Sequence, residues 1–424
     1  MSAASDVLLI GGGHNGLVCA AYLAAAGLSV TVLERRSLPG GAAVTEEFHP
    51  AFRNSVASYT VSLLNPQVIA DLDLHAHGLR IVERRASNFL PLNEREHLLL
   101  GEGRTRAEVA KFSPRDAERL GAYAGRLDAI ADLLRELVLQ TPPNVTDAGL
   151  GAALPELLKS AALGRRLSRL DMTLRRDLLA LFSQAAGDYL DGWFESDPIK
   201  AAYGFDGVVG NYASPYTPGS AYVLLHHVFG EVNGKKGAWG HALGGMGAIT
   251  QAMARSAAAR GVQIRLDSPV REILLDKGRA AGAVTEAGEV FHARAVVSNL
   301  HPKLLFERLI DPGVLPADFR DRIARYRSGS GTFRMNLALS ELPRFPSLPE
   351  PGDHLTAGII MAPSLGYMDR AYGDARAHGW SREPIIEMLI PSTLDQTLAP
   401  RGKHVASLFC QHFRYDLGPG RSWD

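Results

Sequence analysis

Cysteine is scarce in this chain, and its scarcity removes two kinds of chemistry. Cys19 and Cys410 are the two cysteines among 424 residues, and neither belongs to a CxxC or CxxxxC pair. A dithiol redox centre and a disulfide framework are therefore not indicated. A reducing compartment is the expectation that follows, and we expect the protein to be cytoplasmic.

An excess of one charge and a long apolar run are also missing. Lys plus Arg and Asp plus Glu each number 45, so the net charge gives no reason to expect a nucleic acid or an anionic surface as partner. The N-terminus has no basic region, and glycines at positions 11, 12, 13 and 16 interrupt the apolar stretch behind it. This pattern argues against a signal peptide or a membrane span.

The signatures of several enzyme classes are absent as well. The sequence contains no GxSxG, HExxH or Walker A pattern. It therefore gives no motif evidence for a serine nucleophile, a catalytic zinc ion or a P-loop. The adjacent pair His226 and His227 falls in a predicted helix, where consecutive side chains point about 100° apart and rarely bind one ion. We favour a structural role for this pair, and we name neither a metal ligand nor a catalytic residue.

What the sequence does contain is a glycine motif near its start. Residues 6–36 read DVLLIGGGHNGLVCAAYLAAAGLSVTVLERR, in which Gly11, Gly13 and Gly16 fit the pattern GxGxxG. The first glycine allows a tight turn, the second lets backbone approach a pyrophosphate, and the third lets a helix pack closely on a strand.

The residues around the glycines make the motif more specific. Val7–Ile10 predicts a strand buried on both faces of a parallel sheet, residues 14–26 predict a helix, and residues 29–33 predict a second strand. That strand ends at Glu34, where a carboxylate can accept hydrogen bonds from ribose hydroxyls. The context therefore predicts a dinucleotide site.

The loop after Glu34 bears on the choice between NAD and FAD. In a nicotinamide domain the second strand usually runs into another helix, whereas here Pro39, Gly40 and Gly41 follow almost at once. Such a loop presents bare backbone, which suits contact with a diphosphate or a flavin ring. An ordinary surface turn is the alternative interpretation.

With this loop, the chain resembles the amine oxidase and phytoene desaturase superfamily of FAD enzymes. The resemblance runs along nearly all of the chain and includes residues 261–302, and it is most specific in residues 212–254, YASPYTPGSAYVLLHHVFGEVNGKKGAWGHALGGMGAITQAMA. It implies an α/β fold in which a discontinuous, Rossmann-like FAD domain of the glutathione reductase type is joined to a helical cap and a mixed-sheet substrate domain.

The resemblance also implies roles for individual residues. The glycine motif would hold the FAD pyrophosphate, Glu34 the adenosine ribose, Arg36 and the Gly40–Gly41 pair the diphosphate and ring side, and the backbone of Val270 the adenine. The predicted cofactor-binding residues are Gly11, Gly13, His14, Asn15, Gly16, Glu34, Arg35, Arg36, Gly40, Gly41, Ala42 and Val270.

Two features depart from the family pattern. Ala42 stands where many relatives have an arginine directly after the glycine pair. Relatives also finish with a further glycine-rich strand and helix that closes over the isoalloxazine ring, so residue 424 is expected to be a truncation point.

The chain is long enough for two or three domains, at about 150 residues each. We expect the FAD domain at 1–75 and 236–312, a helical cap at 76–235, and a sheet-containing substrate domain at 313–424, truncated at its end. Helical spacing of Leu, Ala and Arg over 105–206 supports the cap. Alternation in TFRMNLALSEL, with EPIIEMLIPS and KHVASLFCQHF, supports the last sheet.

Three functions follow as hypotheses. The first is an FAD-dependent oxidoreductase that transfers hydride from a lipophilic, carotenoid-like or isoprenoid-like substrate to flavin. The second is an NAD(P)-linked dehydrogenase, which the Pro39–Gly41 loop disfavours. The third is a non-catalytic protein that keeps the fold to bind a partner. We expect a small apolar substrate and no nucleic acid, and a peripheral membrane contact is consistent with such a substrate. The sequence leaves the oligomeric state undefined.

Overall fold

The structure is a computed structural model that describes residues 5–144 and 150–423, so that Asp424, the expected truncation point, lies outside it. Strands predominate in its first hundred residues. The elements there are β1 (Ser5–Ile10), α1 (His14–Ala25), β2 (Val30–Leu33), β3 (Thr45–His49), β4 (Phe52–Ser55), α2 (Pro66–Asp71), β5 (Ile81–Glu83), β6 (Asn88–Pro91) and β7 (His97–Leu100).

Helices fill the next part of the chain, as the spacing of leucine and alanine predicts. They are α3 (Thr105–Ala110), α4 (Pro114–Arg135), α5 (Leu150–Ser168), α6 (Met172–Ser183), α7 (Ala186–Trp193), α8 (Asp197–Val208), a 3-10 helix (Ala221–Leu225) and α9 (His226–Phe229).

Strands and helices alternate in the remainder. They are β8 (Glu231–Val232), β9 (Lys235–Lys236), β10 (Gly240–Ala242), α10 (Met246–Ala259), β11 (Gln263–Arg265), β12 (Val270–Asp276), β13 (Arg279–Thr285), β14 (Val290–Ser298), α11 (Pro302–Leu304), a π-helical turn (Leu305–Leu309), α12 (Ala317–Arg325), β15 (Thr332–Leu339), β16 (Gly358–Met361), α13 (Leu365–His378), β17 (Trp380–Leu389) and β18 (His404–Phe413). Three short 3-10 turns lie at Pro312–Val314, Asp353–Thr356 and Pro391–Thr393.

The first sheet has the order β11-β2-β1-β14-β13-β12. Its first four strands are parallel, with Val7 beside both Val30 and Ala295. β14, β13 and β12 continue the sheet as an antiparallel meander. α1 and α10 cover one face, because their small residues pack on the apolar side chains of β1 and β2. The predicted Rossmann-like α/β architecture is confirmed.

The second sheet has the order β15-β18-β17-β16-β6-β7. It is mixed, because β16 runs parallel to β6 while the other neighbours are antiparallel. Side chains of α4, α7, α8 and α13 form one core with Leu90, Ile360 and Ile385 from this sheet. The prediction of a mixed sheet is therefore also confirmed.

The course of the chain between the sheets differs from the predicted cap at 76–235. β5 pairs with β10, while β6 and β7 belong to the second sheet although they precede every helix of the cap. Phe89 and Leu90 on β6 are fully buried, so these short apolar strands form part of the core. Runs this short cannot be distinguished from a buried helix by periodicity alone. The domain boundaries themselves stay a prediction.

No helix within the two described ranges combines the length and the apolar character that crossing a membrane requires.

Candidate functional site

The predicted glycine motif lies where β1 ends and α1 begins. Gly11 has a φ of +99°, a left-handed conformation that glycine adopts without strain. A Cβ atom on Gly16 would lie 2.3 Å from the carbonyl oxygen of Gly11. Only glycine at position 16 therefore lets α1 lie this close to the preceding turn.

The motif meets the second glycine loop backbone to backbone. The N–H of Gly40 donates to the carbonyl of Gly12 at 2.8 Å. A Cβ on Gly41 would lie 3.1 Å from the Cα of Gly13, and one on Gly13 would lie 3.3 Å from Nδ2 of Asn299 at the end of β14. The two loops thus form one surface of bare backbone, a proximity that the sequence does not reveal.

The start of α1 is open to an anion. Among the residues that the structure describes, no side chain accepts a hydrogen bond from the amides of His14, Asn15 or Gly16, and the first turn contains no acid. The ring atom Nδ1 of His14 is buried there and has no hydrogen-bond partner within the described ranges. Because free amides and the helix dipole both favour negative charge, this end of α1 fits a phosphate group.

Glu34 is buried at the end of β2, with 6% of its surface exposed. Its Oε2 accepts from the amide of Gly12 at 2.8 Å, and its Oε1 accepts from the amide of Arg36 at 3.0 Å. These bonds fix the carboxylate beside the glycine motif. Each carboxylate oxygen keeps a free lone pair, so Glu34 can still accept from sugar hydroxyls.

The side chains of the other predicted cofactor-binding residues near Glu34 are paired within the protein or exposed. The guanidinium of Arg36 pairs with Glu46 on β3, so its side chain has a protein partner in addition to any cofactor. Arg35 and Ala42 are exposed. The carbonyl of Ala42 accepts from the amide of Ser58 at 3.0 Å, which holds the loop after the glycine pair.

The turn before Val270 is brought back to the end of β2. The amide of Ser268 donates to the carbonyl of Glu34 at 2.9 Å, and Val270 then opens β12 opposite Thr285. The glycine motif, Glu34 and the turn before Val270 therefore lie together at the carboxyl ends of β1 and β2. We call Gly11–Gly16, Glu34–Arg36, Gly40–Ala42 and Val270 the lip.

A second glycine-led helix, α10, packs against α1 but begins differently. The amide of Gly247 donates to Oγ1 of Thr45 at 2.9 Å, and the amide of Met246 donates to Oγ of Ser55 at 3.0 Å. One turn earlier, the amide of Gly244 donates to Oδ2 of Asp395 at 2.7 Å. The start of α10 is therefore already occupied by side chains of this chain.

The sequence does not group together a second set of polar side chains, which we call the polar cluster: the buried Glu387 and the half-buried Tyr59, Arg84 and Arg334. The hydroxyl of Tyr59 donates to Glu387, and the guanidinium of Arg334 lies 4.1 Å from the centre of the Tyr59 ring. Burial first, and then the negative charge of Glu387, raises the pKa of Tyr59 well above its usual value. Burial lowers the pKa of both Arg84 and Arg334.

Hydrogen bonds connect the polar cluster to the start of α10. Asn336 donates from Nδ2 to the carbonyl of Ser55 at 3.1 Å, and the hydroxyl of Ser407 donates to Oδ1 of Asn336 at 3.1 Å. Arg334 in turn donates to Ser407. Two further nitrogen atoms of Arg334 are buried without an acceptor in the described part of the chain. The inner face of the second sheet is therefore polar where it approaches the lip.

The adjacent histidines serve in packing. The ring of His227 stacks on Trp239 with centroids 4.7 Å apart, and its Nε2 lies 3.2 Å from Oδ1 of Asp206. Burial first, then the positive charges of His226 and Arg84, lowers the pKa of His227 well below its usual value. Burial, followed by the charge of Glu387, raises the pKa of Asp206. Across the described ranges, no three His, Cys, Asp or Glu side chains are grouped to hold a metal.

The parallel sheet, the two glycine loops and the buried acid define a dinucleotide-binding protein. Residues 16–338 match the family model of flavin containing amine oxidoreductases. The chain belongs to this family.

Proteins of similar sequence align with most of the chain. It is 38% identical over 438 residues to pyridine nucleotide-disulfide oxidoreductase domain-containing protein 2 of Rattus norvegicus, covering 99% of this chain and 75% of the relative. It is 27% identical over 409 residues to the zeta-carotene-forming phytoene desaturase of Myxococcus xanthus, covering 94% and 70%. The solved structure of an oxidoreductase from Methanosarcina mazei, 17% identical, has a TM-score of 0.58 and covers 97% and 79%, which shows a shared fold.

The residues present fit the family's cofactor, FAD. The open start of α1 suits its diphosphate, the glycine loops leave room for close approach of backbone, and Glu34 retains acceptors for a ribose. No helix follows β2 before Thr45, as the Pro39–Gly41 loop predicts. The choice of FAD over a nicotinamide cofactor is confirmed by the family. The roles of individual lip residues remain predictions.

Proposed function

We propose that the protein is an FAD-dependent oxidoreductase that removes a hydride from a C–H bond of an apolar, carotenoid-like or isoprenoid-like substrate. Bound FAD supplies the hydride acceptor, so that the protein need not provide a nucleophile of its own. The side chains of this chain then have three tasks: to bind the cofactor, to orient the substrate and to exclude water.

The observation that carries the proposal is the open start of α1 beside the two glycine loops. The start of α10, an equally glycine-rich helix, is filled by Thr45 and Ser55. Among the described residues, α8 and α12 also lack a side-chain cap but carry Asp197 and Asp318 in their first turns, whereas α1 has neither a cap nor an acid, so a ligand with a negative charge would complete it. Family membership supports FAD as that ligand.

The substrate class is supported by the name of a relative. The relative from Myxococcus xanthus is named a phytoene desaturase, and that name suggests a long apolar hydrocarbon. In this chain, helices α4, α7 and α8 and the second sheet share one packed apolar core, so the relative's name is what supports a lipophilic substrate. The polar cluster supplies groups that can orient a polar atom of a substrate.

The cofactor part of the proposal is tested by the colour of the purified protein. We expect a flavin absorbance spectrum, and release of FAD, identified by chromatography, when the protein is denatured. Protein that is colourless, does not take up added FAD, and shows no thermal shift with NADH would instead support the hypothesis of a non-catalytic binding protein.

The substrate part is tested separately by anaerobic mixing. Phytoene or zeta-carotene, dispersed in detergent, should bleach the flavin absorbance of the loaded protein, because hydride transfer reduces the ring. Bleaching by putrescine and not by either carotene would contradict the lipophilic substrate while leaving the flavin assignment intact.

A further inference from the structure

Exposed apolar side chains are concentrated in one part of the described chain. Among the residues whose side chains the structure describes, eleven large apolar side chains are at least half exposed, and nine of these lie between residues 138 and 222. Their most exposed members on α5 and α6 are Leu154, Leu157, Leu158, Met172, Leu179 and Phe182, at 62, 53, 64, 64, 70 and 51%. We call these six residues the α5–α6 surface.

The six side chains share the outward faces of two helices. On α5, Leu154, Leu157 and Leu158 follow helical spacing, as do Met172 and Leu179 on α6. A water-facing helix normally carries polar residues there, and these positions are apolar instead. Exposed apolar side chains grouped on the outward faces of helices in this way indicate a contact with a partner or a membrane.

α5 is weakly attached to the rest of the molecule. No helix or strand in the described part of the chain packs extensively against it, whereas α6 packs on α4, α7 and the 3-10 helix at Ala221–Leu225. The ring of Phe182 stacks on Tyr222 of that 3-10 helix, with centroids 6.0 Å apart and both rings about half exposed. The α5–α6 surface is thus unpartnered on α5 and anchored through α6.

The charge of the same segment points to the nature of the partner. Six Lys or Arg but three Asp or Glu lie between residues 150 and 183, in a chain with no net charge. Each of those acids is already engaged: Glu156 with Lys159 at 2.6 Å, Asp177 with Arg126 at 3.2 Å, and Asp171 with the amide of Leu174 at 2.9 Å.

Arginines remain exposed beside the apolar side chains. Arg165, Arg169 and Arg176 are exposed, and Arg176 lies one helical turn from both Met172 and Leu179. Leucine and arginine side by side on one face suit the headgroup region of a bilayer, where the apolar chains enter the acyl boundary and guanidinium groups meet lipid phosphates.

From this combination of exposed leucines and engaged acids, we propose that the α5–α6 surface docks the protein on a membrane surface containing anionic lipid. The interaction is peripheral, since the helices lie in the interface with their apolar side chains inserted. The docking proposal does not depend on the proposed oxidoreductase function, although docking would place the protein beside a lipophilic substrate dissolved in the same membrane.

Vesicle sedimentation tests the docking. The full chain should sediment with vesicles containing about a third phosphatidylglycerol, less with phosphatidylcholine alone, and less as salt rises from about 0.1 M to about 0.5 M. The triple variant Leu157→Ser/Leu158→Ser/Leu179→Ser should lower the partition coefficient by about tenfold or more, because it removes three apolar side chains from the acyl boundary. Arg165→Gln/Arg169→Gln/Arg176→Gln should lower binding to the anionic vesicles by about fivefold for each arginine.

Control variants distinguish docking through the α5–α6 surface from nonspecific adsorption to vesicles. Val314→Ser/Tyr415→Ser alters the two other half-exposed apolar side chains and should leave sedimentation unchanged. Leu158→Trp gives a second measurement, in which tryptophan emission should shift to the blue on anionic vesicles while Val314→Trp emission does not.

Three results would overturn the proposal. One is wild-type protein that stays in the supernatant with anionic vesicles. Another is equal loss of sedimentation in the control and the leucine variant. The third is a wild-type dimer that the leucine variant converts to a monomer without any vesicle binding, which would assign the surface to a contact between two copies.

Discussion

Two helices that pack against each other both follow glycine-rich turns, yet they begin in opposite ways. α1 begins with no side-chain acceptor for its first amides among the described residues, whereas the amides of Met246 and Gly247 on α10 donate to Ser55 and Thr45. Glycine richness alone therefore does not identify a ligand site. The distinguishing feature is whether the chain's own side chains satisfy the amides that the turn exposes.

The largest effect should follow from placing a methyl group between α1 and the turn that precedes it. Gly16→Ala places a Cβ 2.3 Å from the Gly11 carbonyl, so backbone must move, and we expect a loss of about 3 kcal/mol in unfolding free energy together with loss of FAD. Thermal unfolding and bound-flavin content measure the two effects. In the matched control Gly125→Ala, on α4, nothing lies within 4 Å, and stability should rise by about 0.5–1 kcal/mol.

A smaller effect should follow from Glu34→Gln, which we expect to weaken FAD binding and, to a lesser degree, to lower stability. The carboxylate accepts from the amides of Gly12 and Arg36, and an amide group can do so with one oxygen only. Loss of a charge-assisted acceptor predicts FAD affinity about 10–100-fold weaker in calorimetric titration of the apoprotein. The exposed neighbour Glu47 provides the control Glu47→Gln, and an equal loss of affinity in that variant would show that Glu34 has no special position.

The smallest effect should come from the filled helix start. Thr45→Val keeps the shape of the side chain but removes the acceptor for the Gly247 amide, which predicts about 1 kcal/mol less stability. Because α10 does not present free amides to the cofactor, FAD affinity should change by less than about threefold. A large loss of FAD affinity with unchanged stability would mean that the two helix starts do not differ as described.

Local patterns made the first sheet predictable. The helix expected at 14–26 is observed as His14–Ala25, and the strand expected at 29–33 is observed as Val30–Leu33. Each signal lies within a short stretch, since one turn, one helix and one acid occur in sequence order. The contact between Gly13 and Gly41 could not be predicted, because two loops of bare backbone carry no signal of their mutual distance.

The second sheet shows where such patterns fail. The strand in TFRMNLALSEL is present as β15, but Phe333 and Met335 are exposed at 40% and 39% while Arg334 and Asn336 face inward. Alternation therefore predicts the strand correctly, and Leu337 and Leu339 pack against a core as expected, but in the first half of the strand the inner face is polar. The polar cluster likewise draws Tyr59 and Arg84 from two loops and Arg334 and Glu387 from two strands, with no spacing that links them.

The central claim is that the open start of α1 holds the dinucleotide, and Gly13→Asp tests it most directly. Gly13 has φ −68° and ψ 167°, an extended conformation suited to an N-cap aspartate, whose carboxylate would occupy the first amides of α1. The new Cβ would lie 3.3 Å from Nδ2 of Asn299, the end of a side chain that can shift, so we predict that the apoprotein unfolds close to the wild-type temperature while FAD binding weakens at least about 100-fold. Wild-type FAD affinity in this variant, or loss of FAD only together with loss of the fold, would contradict the account.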